Sequence, residues 1–249
     1  MSDNQQPSAF GPVASAVSFF RLAVFLVFSI PLLSYVVAVS ILRPGSAYYR
    51  PMLFWVASVL HIFGTKVYVE GLDNFSRDAH YVVMANHRSH LDSFAIAHCL
   101  GRERETRWVA KKELLRIPLF GTALKTSGQV IVDRRDHKQA VEALRHSLGD
   151  RPVSVVFYPE GSRSSGRQLM PFKKGAAALA IAAGLAVIPV AVSGSEKLLP
   201  KYGLRVWPGI IRVRIGSPIE VRGMDEGDRG ALTERARSEV GAMLMEMES

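Results

Sequence analysis

A histidine and an aspartate lie five positions apart, directly after a short apolar segment. His87 and Asp92 follow Tyr81–Ala85, whose sequence YVVMA is typical of a buried strand. On one unbroken helix the two side chains would point roughly 140° apart, but a helix that begins near Ser89 lets the preceding loop fold His87 back toward Asp92. A carboxylate at one imidazole nitrogen fixes the tautomer and raises basicity, which suits removal of a proton from a hydroxyl. The alternative is that both side chains only cap the start of a helix.

Positively charged residues follow two other strand-like segments. Lys111 lies in the sequence AKKEL, and Arg134 lies in the sequence VDRR after the next apolar segment. Cations at strand ends suit an anionic phosphate, which an arginine can hold through two parallel hydrogen bonds. The alternative for each of these residues is a solvated basic surface.

A further polar cluster, Tyr158–Ser164 (YPEGSRS), follows the β-prone sequence VSVVFY. Gly161 lets the backbone approach a ligand closely, and Arg163 supplies positive charge. Glu160 and Ser162 lie in the same turn, directly after a strand that is predicted to be buried. The alternative is a surface turn closed by proline and glycine, which would not need the glutamate and the arginine.

Metal and disulfide chemistry have little support in the sequence. His87, His90 and Asp92 lack the spacing of an established metal-binding motif. Cys99 is the single cysteine, which excludes an internal disulfide and a cysteine-rich zinc cluster and indicates a reducing compartment. We expect the reaction to need no metal and no redox cofactor.

Short apolar segments that alternate with amphipathic ones must position these clusters. Seven strands are predicted, at Lys66–Glu70, Tyr81–Ala85, Trp108–Ala110, Val130–Val132, Val153–Tyr158, Val187–Val192 and Ile211–Ile215. Five helices are predicted, at Asp92–Leu100, Pro118–Lys125, Lys138–Leu148, Lys174–Ala183 and Arg229–Met245. This order predicts an α/β domain over residues 65–249, with a mostly parallel sheet flanked by helices. In such sheets the reacting groups gather beyond the carboxyl ends of the strands.

Residues 1–64 are predicted to form an N-terminal hydrophobic membrane module. Leu22–Leu42 carries no charge and is long enough for a helix to cross the hydrocarbon core, and Pro31 predicts a kink or a split in that helix. Met52–Gly64 is a second apolar stretch, shorter than a span, and it contains Trp55. Three arrangements are open, of which the first two are one true span and a pair of helices within one leaflet. A helix buried inside a soluble protein is the third.

The chain of 249 residues has a formal net charge of +9, and the positive charge is concentrated in its middle. Residues 81–222 carry 23 basic and 11 acidic side chains, whereas residues 223–249 carry three and seven. This balance favours partners that bear phosphate, such as an anionic lipid or a phosphorylated substrate. We expect no nucleic-acid binding, because the sequence has no helix-turn-helix, no zinc-finger spacing and no basic stretch interleaved with aromatic residues.

In order and spacing, the clusters resemble the motifs of the glycerolipid acyltransferase family, over roughly residues 65–220. The matching segments are Asn86–Asp92 for N-H-x-x-x-x-D, Lys111–Leu114 for K-x-E-L, Asp133-Arg134 for D-R, Tyr158–Ser164 for F-P-E-G-T-R-S and Ile188–Val190 for I-P-V. Tyr158 stands where phenylalanine is usual, and Ser162 replaces threonine but keeps the hydroxyl. Arg88 takes a place often held by glutamine, which bears on the lysolipid that is preferred.

The resemblance implies a fold, an activity and a set of roles. A fatty acyl group is transferred from a thioester donor, acyl-CoA or acyl carrier protein, to the 2-hydroxyl of lysophosphatidic acid, which gives phosphatidic acid for phospholipid synthesis. His87, oriented by Asp92, is then the general base. The residues implied to bind the acceptor and its phosphate are Lys111, Arg134, Glu160, Gly161, Ser162 and Arg163. The protein is expected at the inner (cytoplasmic) membrane, with its active site near the cytoplasmic face.

Other functions remain open at the level of the sequence. Within the same chemistry, the acceptor could be glycerol-3-phosphate, another lysophospholipid or a lyso-aminolipid. A non-catalytic membrane protein that binds anionic lipids through its basic surface belongs to a different class, but it has no use for His87, Asp92 and Glu160 together. A membrane-bound metal hydrolase is a more distant alternative.

Overall fold

The structure is a computed structural model. It describes residues 12–43, 47–76, 78–103, 105–132, 142, 153–166, 168–203 and 205–249. The α-helices are α1 (Pro12–Leu42), α2 (Tyr49–Ile62), α3 (Leu91–Leu100), α4 (Phe120–Thr126), α5 (Gly175–Ala183), α6 (Ser195–Leu198) and α7 (Arg229–Glu248). The strands are β1 (Thr65–Glu70), β2 (Tyr81–Ala85), β3 (Glu105–Lys111), β4 (Val130–Val132), β5 (Val153–Phe157), β6 (Ala186–Ser193) and β7 (Gly209–Ile215).

The described strands form one sheet in the order β1-β7-β6-β2-β5-β3-β4. Neighbouring strands are parallel except β6 and β7, where Ser193 lies opposite Arg212 in an antiparallel register. β1 is parallel to β7, with Thr65 opposite Gly209, so these two strands run against the other five. The predicted mostly parallel sheet is therefore confirmed, and five strands share one carboxyl edge.

The central strands are buried on both faces of the sheet, which is why their sequences are apolar without alternation. In β2, Tyr81, Val83 and Ala85 join the core on one face, together with α3. Val82 and Met84 join the core on the other face, together with α5 and part of α7. Two layers of helices thus enclose the sheet and hold its carboxyl edge in a fixed position.

The predicted elements of the α/β body are confirmed where the structure describes them. All seven predicted strands are present, and the helices predicted around α3, α4, α5 and α7 are found with shifts of a few residues at their ends. The helix predicted over Lys138–Leu148 lies outside the described residues, apart from Glu142. The short helix α6, which follows β6 directly, is not among the predicted helices.

Helices α1 and α2 pack against each other ahead of the body. α1 is continuous over 31 residues, so the predicted split at Pro31 is wrong, whereas a kink there stays a prediction. A proline removes only one main-chain hydrogen bond, and contacts with α2 support the turns on either side of it. Next to the proline, the indole N–H of Trp55 donates to the Ser29 hydroxyl at 3.0 Å, and the rings of Phe28 and Phe54 have centroids 6.4 Å apart.

α1 is attached to the body near both of its ends. At its N-terminal end the backbone N–H of Val206 donates to the Ser18 hydroxyl at 2.7 Å. At its C-terminal end the Ser40 hydroxyl donates to the hydroxyl of Thr126 in α4, also at 2.7 Å. Ser15–Leu42 is long and apolar enough to cross a membrane, and only 11% of its most apolar 18-residue segment is buried. The interpretation of this segment as a core helix of a soluble protein is therefore not supported.

Candidate active site

The loop between β2 and α3 is fastened to the neighbouring strand β6. The side-chain amide of Asn86 donates to the carbonyl of Val192 at 2.8 Å, and the N–H of Val192 donates back to the Asn86 side-chain oxygen at 2.7 Å. Asn86 is fully buried, so the desolvated amide is satisfied by these main-chain groups. The first residue of the N-H-x-x-x-x-D motif thus fixes the start of the loop that carries His87.

His87 and Asp92 are in direct contact. The Nδ1 atom of His87 lies 2.9 Å from Oδ2 of Asp92, and α3 begins at Leu91, so the loop folds back as the sequence predicts. With the Nδ1 proton donated to the carboxylate, Nε2 is the unprotonated nitrogen that can accept a proton. Asp92 is fully buried, whereas 16% of the His87 side chain is exposed. The pair has the geometry of a general base with its orienting carboxylate.

The Asp92 carboxylate is surrounded by further donors. The backbone N–H groups of Arg88 and Ser89 donate to its Oδ2 at 2.7 and 2.8 Å. The hydroxyl of Ser195, which is fully buried in α6, donates to its Oδ1. Asp92 also lies in the first turn of α3, where the helix dipole favours negative charge. These contacts compensate the cost of burying a carboxylate. Sequence reasoning missed Ser195, because a lone serine after a strand carries no distinguishing signal.

The turn that follows β5 wraps around the backbone of His87. The N–H of His87 donates to Oε1 of Glu160 at 2.7 Å, and the N–H of Ser164 donates to the carbonyl of His87 at 2.8 Å. The ring of Tyr158 stacks on the imidazole with centroids 3.9 Å apart and planes inclined by 13°. The Tyr158 hydroxyl lies 2.8 Å from the hydroxyl of Ser93 in α3. The first and third sequence clusters therefore form one site, as predicted.

The carboxylate of Glu160 is occupied by main-chain donors. Besides the N–H of His87, it accepts a hydrogen bond from the N–H of Met170 at 3.1 Å. Glu160 is buried, and burial raises its pKa even though both backbone hydrogen bonds act in the opposite direction. The structure thus assigns Glu160 to holding the turn and the His87 backbone together, while contact with the acceptor stays a prediction.

The rest of this turn places positive charge near His87. Gly161 has a φ of +80°, and a Cβ atom built there would lie 2.9 Å from the ammonium nitrogen of Lys173. Lys173 was not assigned a role from the sequence, although the run LMPFKKGA contains it. Arg163 is half-buried, and after burial its charge is the next cause of the lowered pKa of His90. Ser162 lies exposed on the turn.

The remaining predicted phosphate ligands are less completely described. Lys111 is the last residue of β3 and pairs with Val132 of β4, at the same carboxyl edge as His87, but its side chain is not among those described. Arg134 lies outside the described residues. Their contact with a phosphate therefore stays a prediction.

Three further features of the sequence concern Cys99, metal binding and Arg88. Cys99 is buried, and burial raises its pKa to about 12, so its thiol stays protonated at neutral pH. Among the residues that the structure describes, no group of three or more histidine, cysteine, aspartate or glutamate side chains is placed to hold a metal ion. The guanidinium of Arg88 is buried against Glu248, and its bearing on lysolipid preference stays a prediction.

Comparisons with known proteins agree with this arrangement. Residues 66–193 match the acyltransferase family model. The 1-acyl-sn-glycerol-3-phosphate acyltransferase alpha of Homo sapiens is 30% identical over 182 residues, which are 72% of this chain and 64% of that protein. The 1-acyl-sn-glycerol-3-phosphate acyltransferase of Salmonella typhimurium is 34% identical over 164 residues, 64% of this chain and 65% of that protein. The chain thus matches slightly less than two thirds of the length of these relatives.

A solved structure has the same fold. The crystal structure of the 1-acyl-sn-glycerophosphate (LPA) acyltransferase from Thermotoga maritima is similar with a TM-score of 0.76 and 24% sequence identity, and the similarity covers 95% of both chains. The family match spans β1 to the end of β6 and includes His87, Asp92 and the turn after β5. These findings show that the chain belongs to the acyltransferase family.

Proposed function

We propose that the protein transfers a fatty acyl group from a thioester, acyl-CoA or acyl carrier protein, to the 2-hydroxyl of 1-acylglycerol-3-phosphate, which yields phosphatidic acid. The observation that carries the proposal is the 2.9 Å contact between His87 and the fully buried Asp92 at the carboxyl edge of the sheet. The relatives from Homo sapiens and Salmonella typhimurium, which are both 1-acyl-sn-glycerol-3-phosphate acyltransferases, indicate the acceptor.

In the proposed mechanism, Nε2 of His87 accepts the proton of the acceptor hydroxyl as its oxygen attacks the thioester carbonyl. A carbon–oxygen bond forms, the carbon–sulfur bond breaks, and the imidazolium returns its proton to the thiolate, which leaves as a free thiol. General-base catalysis contributes about 10²–10⁴-fold, so holding the two substrates in register must contribute much of the rest. The atoms and charges balance with no metal or redox cofactor.

The acceptor phosphate is proposed to bind beside the turn after β5. Arg163 lies close enough to affect His90, and no described carboxylate forms an ion pair with it. Lys173 brings a second cation to Gly161. Lys111 and Arg134, the other phosphate ligands that the family resemblance implies, follow neighbouring strands of the same sheet. A dianionic phosphate would gain charge-assisted hydrogen bonds from such a set.

The membrane module is proposed to lie within one leaflet at the cytoplasmic face of the inner membrane. Ser18 and Ser40 are 22 positions apart, which is about 33 Å of helix and close to the thickness of the hydrocarbon core. Both residues are bonded to the body, so a crossing orientation would draw the polar body into the hydrocarbon. The exposed apolar residues, among them Phe19, Val27 and Leu42, would face the acyl chains.

The decisive experiment is a thiol-release assay with the purified full chain. Several acyl-CoAs and acyl carrier protein serve as donors, and lysophosphatidic acid, glycerol-3-phosphate and other lysolipids are rival acceptors. We expect turnover with lysophosphatidic acid, and we expect His87→Ala to reduce kcat by about 10²–10⁴-fold. His61→Ala is the control, because this histidine is exposed on α2.

Each of three outcomes would contradict a part of the proposal. Substantial residual turnover in His87→Ala would exclude a base at this position. Binding of anionic vesicles without thiol release from any donor would favour the non-catalytic alternative. Turnover with glycerol-3-phosphate but not with lysophosphatidic acid would keep the reaction and replace the acceptor.

A further inference from the structure

The last turn of α7 contacts the loop of the general base through a buried arginine. Arg88, which follows His87, is 2% exposed, and its guanidinium donates a hydrogen bond to the carboxylate of Glu248. The hydroxyl of Ser193 donates to the same Glu248 oxygen at 3.3 Å. A carboxylate oxygen of Glu196 lies 3.9 Å from the Arg88 nitrogen that contacts Glu248. The positive charge of Arg88 is thus compensated from α7 and α6.

The main chain of the same arginine bonds the catalytic carboxylate. The N–H of Arg88 donates to Asp92 at 2.7 Å, so its backbone lies against the general-base pair while its side chain lies against α7. Its charge also reaches Glu160, whose pKa is raised by burial and lowered in part by His87 and Arg88. Glu160 is the carboxylate that accepts from the N–H of His87. Without Glu248, the Arg88 guanidinium would therefore be attracted toward the carboxylate of Glu160, which holds the backbone of His87.

The segment Ser193–Glu196 connects the same two carboxylates by a second route. Its Ser195 donates to Asp92, while its Ser193 donates to Glu248. Asp92 and Glu248 are thus joined both through Arg88 and through this segment, although they lie in helices that are far apart in the chain. Because each contact uses a buried or partly buried polar group, a loss at Glu248 would leave unsatisfied partners on both routes.

We propose that the Arg88–Glu248 ion pair is a positioning element for catalysis, through which the last turn of α7 sets the geometry of His87 and Asp92. The proposal rests on the acyl transfer proposed above. The proposal gives both residues a positioning role without contact to the substrate. A buried ion pair is damaged more by removal of one partner than by replacement of both, because a single removal takes away the nearest counter-ion of a buried charge. This asymmetry makes the proposal testable.

The test is a double-mutant cycle on the full chain, with kcat and KM measured by thiol release. We expect Glu248→Gln to lower kcat by about 10-fold, within the range caused by small misplacements of a reacting group, and to change the KM for the acceptor less than about twofold. The double variant Arg88→Gln with Glu248→Gln should recover most of the lost kcat, because the buried cation is removed together with its nearest counter-ion. Glu246→Gln is the matched control, since Glu246 is an exposed neighbour in an ion pair with Arg214.

A second readout does not depend on turnover. The proton on Nδ1 of His87, held by a buried carboxylate, should give a far-downfield proton NMR signal that Glu248→Gln broadens or shifts and the double variant restores. An unchanged kcat and an unchanged signal in folded Glu248→Gln would overturn the proposal, as would a double variant no better than the single one. A wild-type chain that gives the signal but releases no thiol would refute the proposed function and leave the NMR comparison to decide the positioning role.

Discussion

Single residues at this site owe their function to buried contacts more than to their own chemistry. Asp92 accepts hydrogen bonds from His87, from two backbone N–H groups and from Ser195. A buried carboxylate so well compensated stays in place and holds one tautomer of the imidazole. Tyr158 covers one face of that imidazole and is tied by its hydroxyl to Ser93 on the helix that carries Asp92. The orientation of His87 is therefore set at its edge and at its face.

The stacking of Tyr158 on the imidazole of His87 can be tested separately from the hydrogen bond of the Tyr158 hydroxyl. Tyr158→Phe keeps the stacked ring and should retain kcat within about fivefold, the cost of one hydrogen bond. Tyr158→Leu removes the ring and should lower kcat by about tenfold, in line with the energy of a stacked aromatic pair, with little change in KM. Thiol-release kinetics measure both. Tyr68→Leu, at an exposed position in β1, is the control, and wild-type kcat in Tyr158→Leu would contradict a positioning role.

At the scale of elements, the site is formed where β2 and β5 end side by side. The two strands are parallel, with Met84 opposite Phe157, so the loop that carries His87 and the turn that carries Glu160 leave the sheet together. Glu160 then joins them through main-chain hydrogen bonds to His87 and Met170. The turn after β5 is thus a clamp on the loop after β2, and its stability should depend on the protonation of one carboxyl.

The pH dependence of that clamp follows from the direction of the Glu160 pKa. Burial raises the pKa above its value of about 4.3 in an unfolded chain, so the group contributes stability that is fully present below that value and is lost as pH rises through the folded pKa. Glutamine does not titrate. We therefore expect Glu160→Gln to lower Tm more at pH 4 than at pH 7.5, relative to wild type.

Thermal unfolding of the detergent-solubilised protein at both pH values measures this difference. Glu239→Gln, at an exposed position on α7, is the control and should show the same small change in Tm at both pH values. A cost of Glu160→Gln that grows with pH would mean that the pKa of Glu160 is depressed in the folded protein.

At the scale of the whole molecule, the apolar helices and the body form one unit. The hydroxyls of Ser18 and Ser40 tie the two ends of α1 to the body, and the ring of Phe25 packs on that of Phe63 in between, with centroids 5.3 Å apart. Because α1 is joined to the body at several points, its tilt cannot change independently of the body. The boundary predicted after residue 64 therefore lies between two apolar helices and the body against which they pack.

The proposed placement of α1 in one leaflet predicts a labelling pattern. Ala16→Cys and Arg43→Cys put thiols at exposed positions near the two ends of the helix. In sealed membrane vesicles, we expect a membrane-impermeant maleimide to label both variants from the same side, because both ends of α1 lie on the body's side of the bilayer. The wild-type chain, whose only cysteine is the buried Cys99, should stay unlabelled while folded. Labelling of the two variants from opposite sides would establish a span.

Structural features are predicted best from the sequence where they depend on one local segment. Strands such as β2 are apolar on both faces, so their positions were predicted correctly, and the pairing of His87 with Asp92 follows from where one helix begins. The contacts of Asp92 with Ser195 and of Arg88 with Glu248 join residues 103 and 160 positions apart. Such contacts depend on the order of strands in the sheet and on the reversal of β7, which no local pattern encodes. For Pro31, packing against α2 outweighed the local preference.

The reversal of β7 against β6 has a consequence for how a lipid reaches the site. β7 and β1 begin at the sheet edge where the other five strands end, so Gly64, bonded to Gly209 at that edge, brings the chain from α2 to the same side as His87. The C-terminal end of the apolar helix α2 and the imidazole of His87 thus lie at the same edge of the sheet. Under the proposed function, a lysolipid diffusing laterally in the leaflet would reach His87 in two dimensions with its tail still in the bilayer, and only the thioester would have to arrive from the aqueous phase.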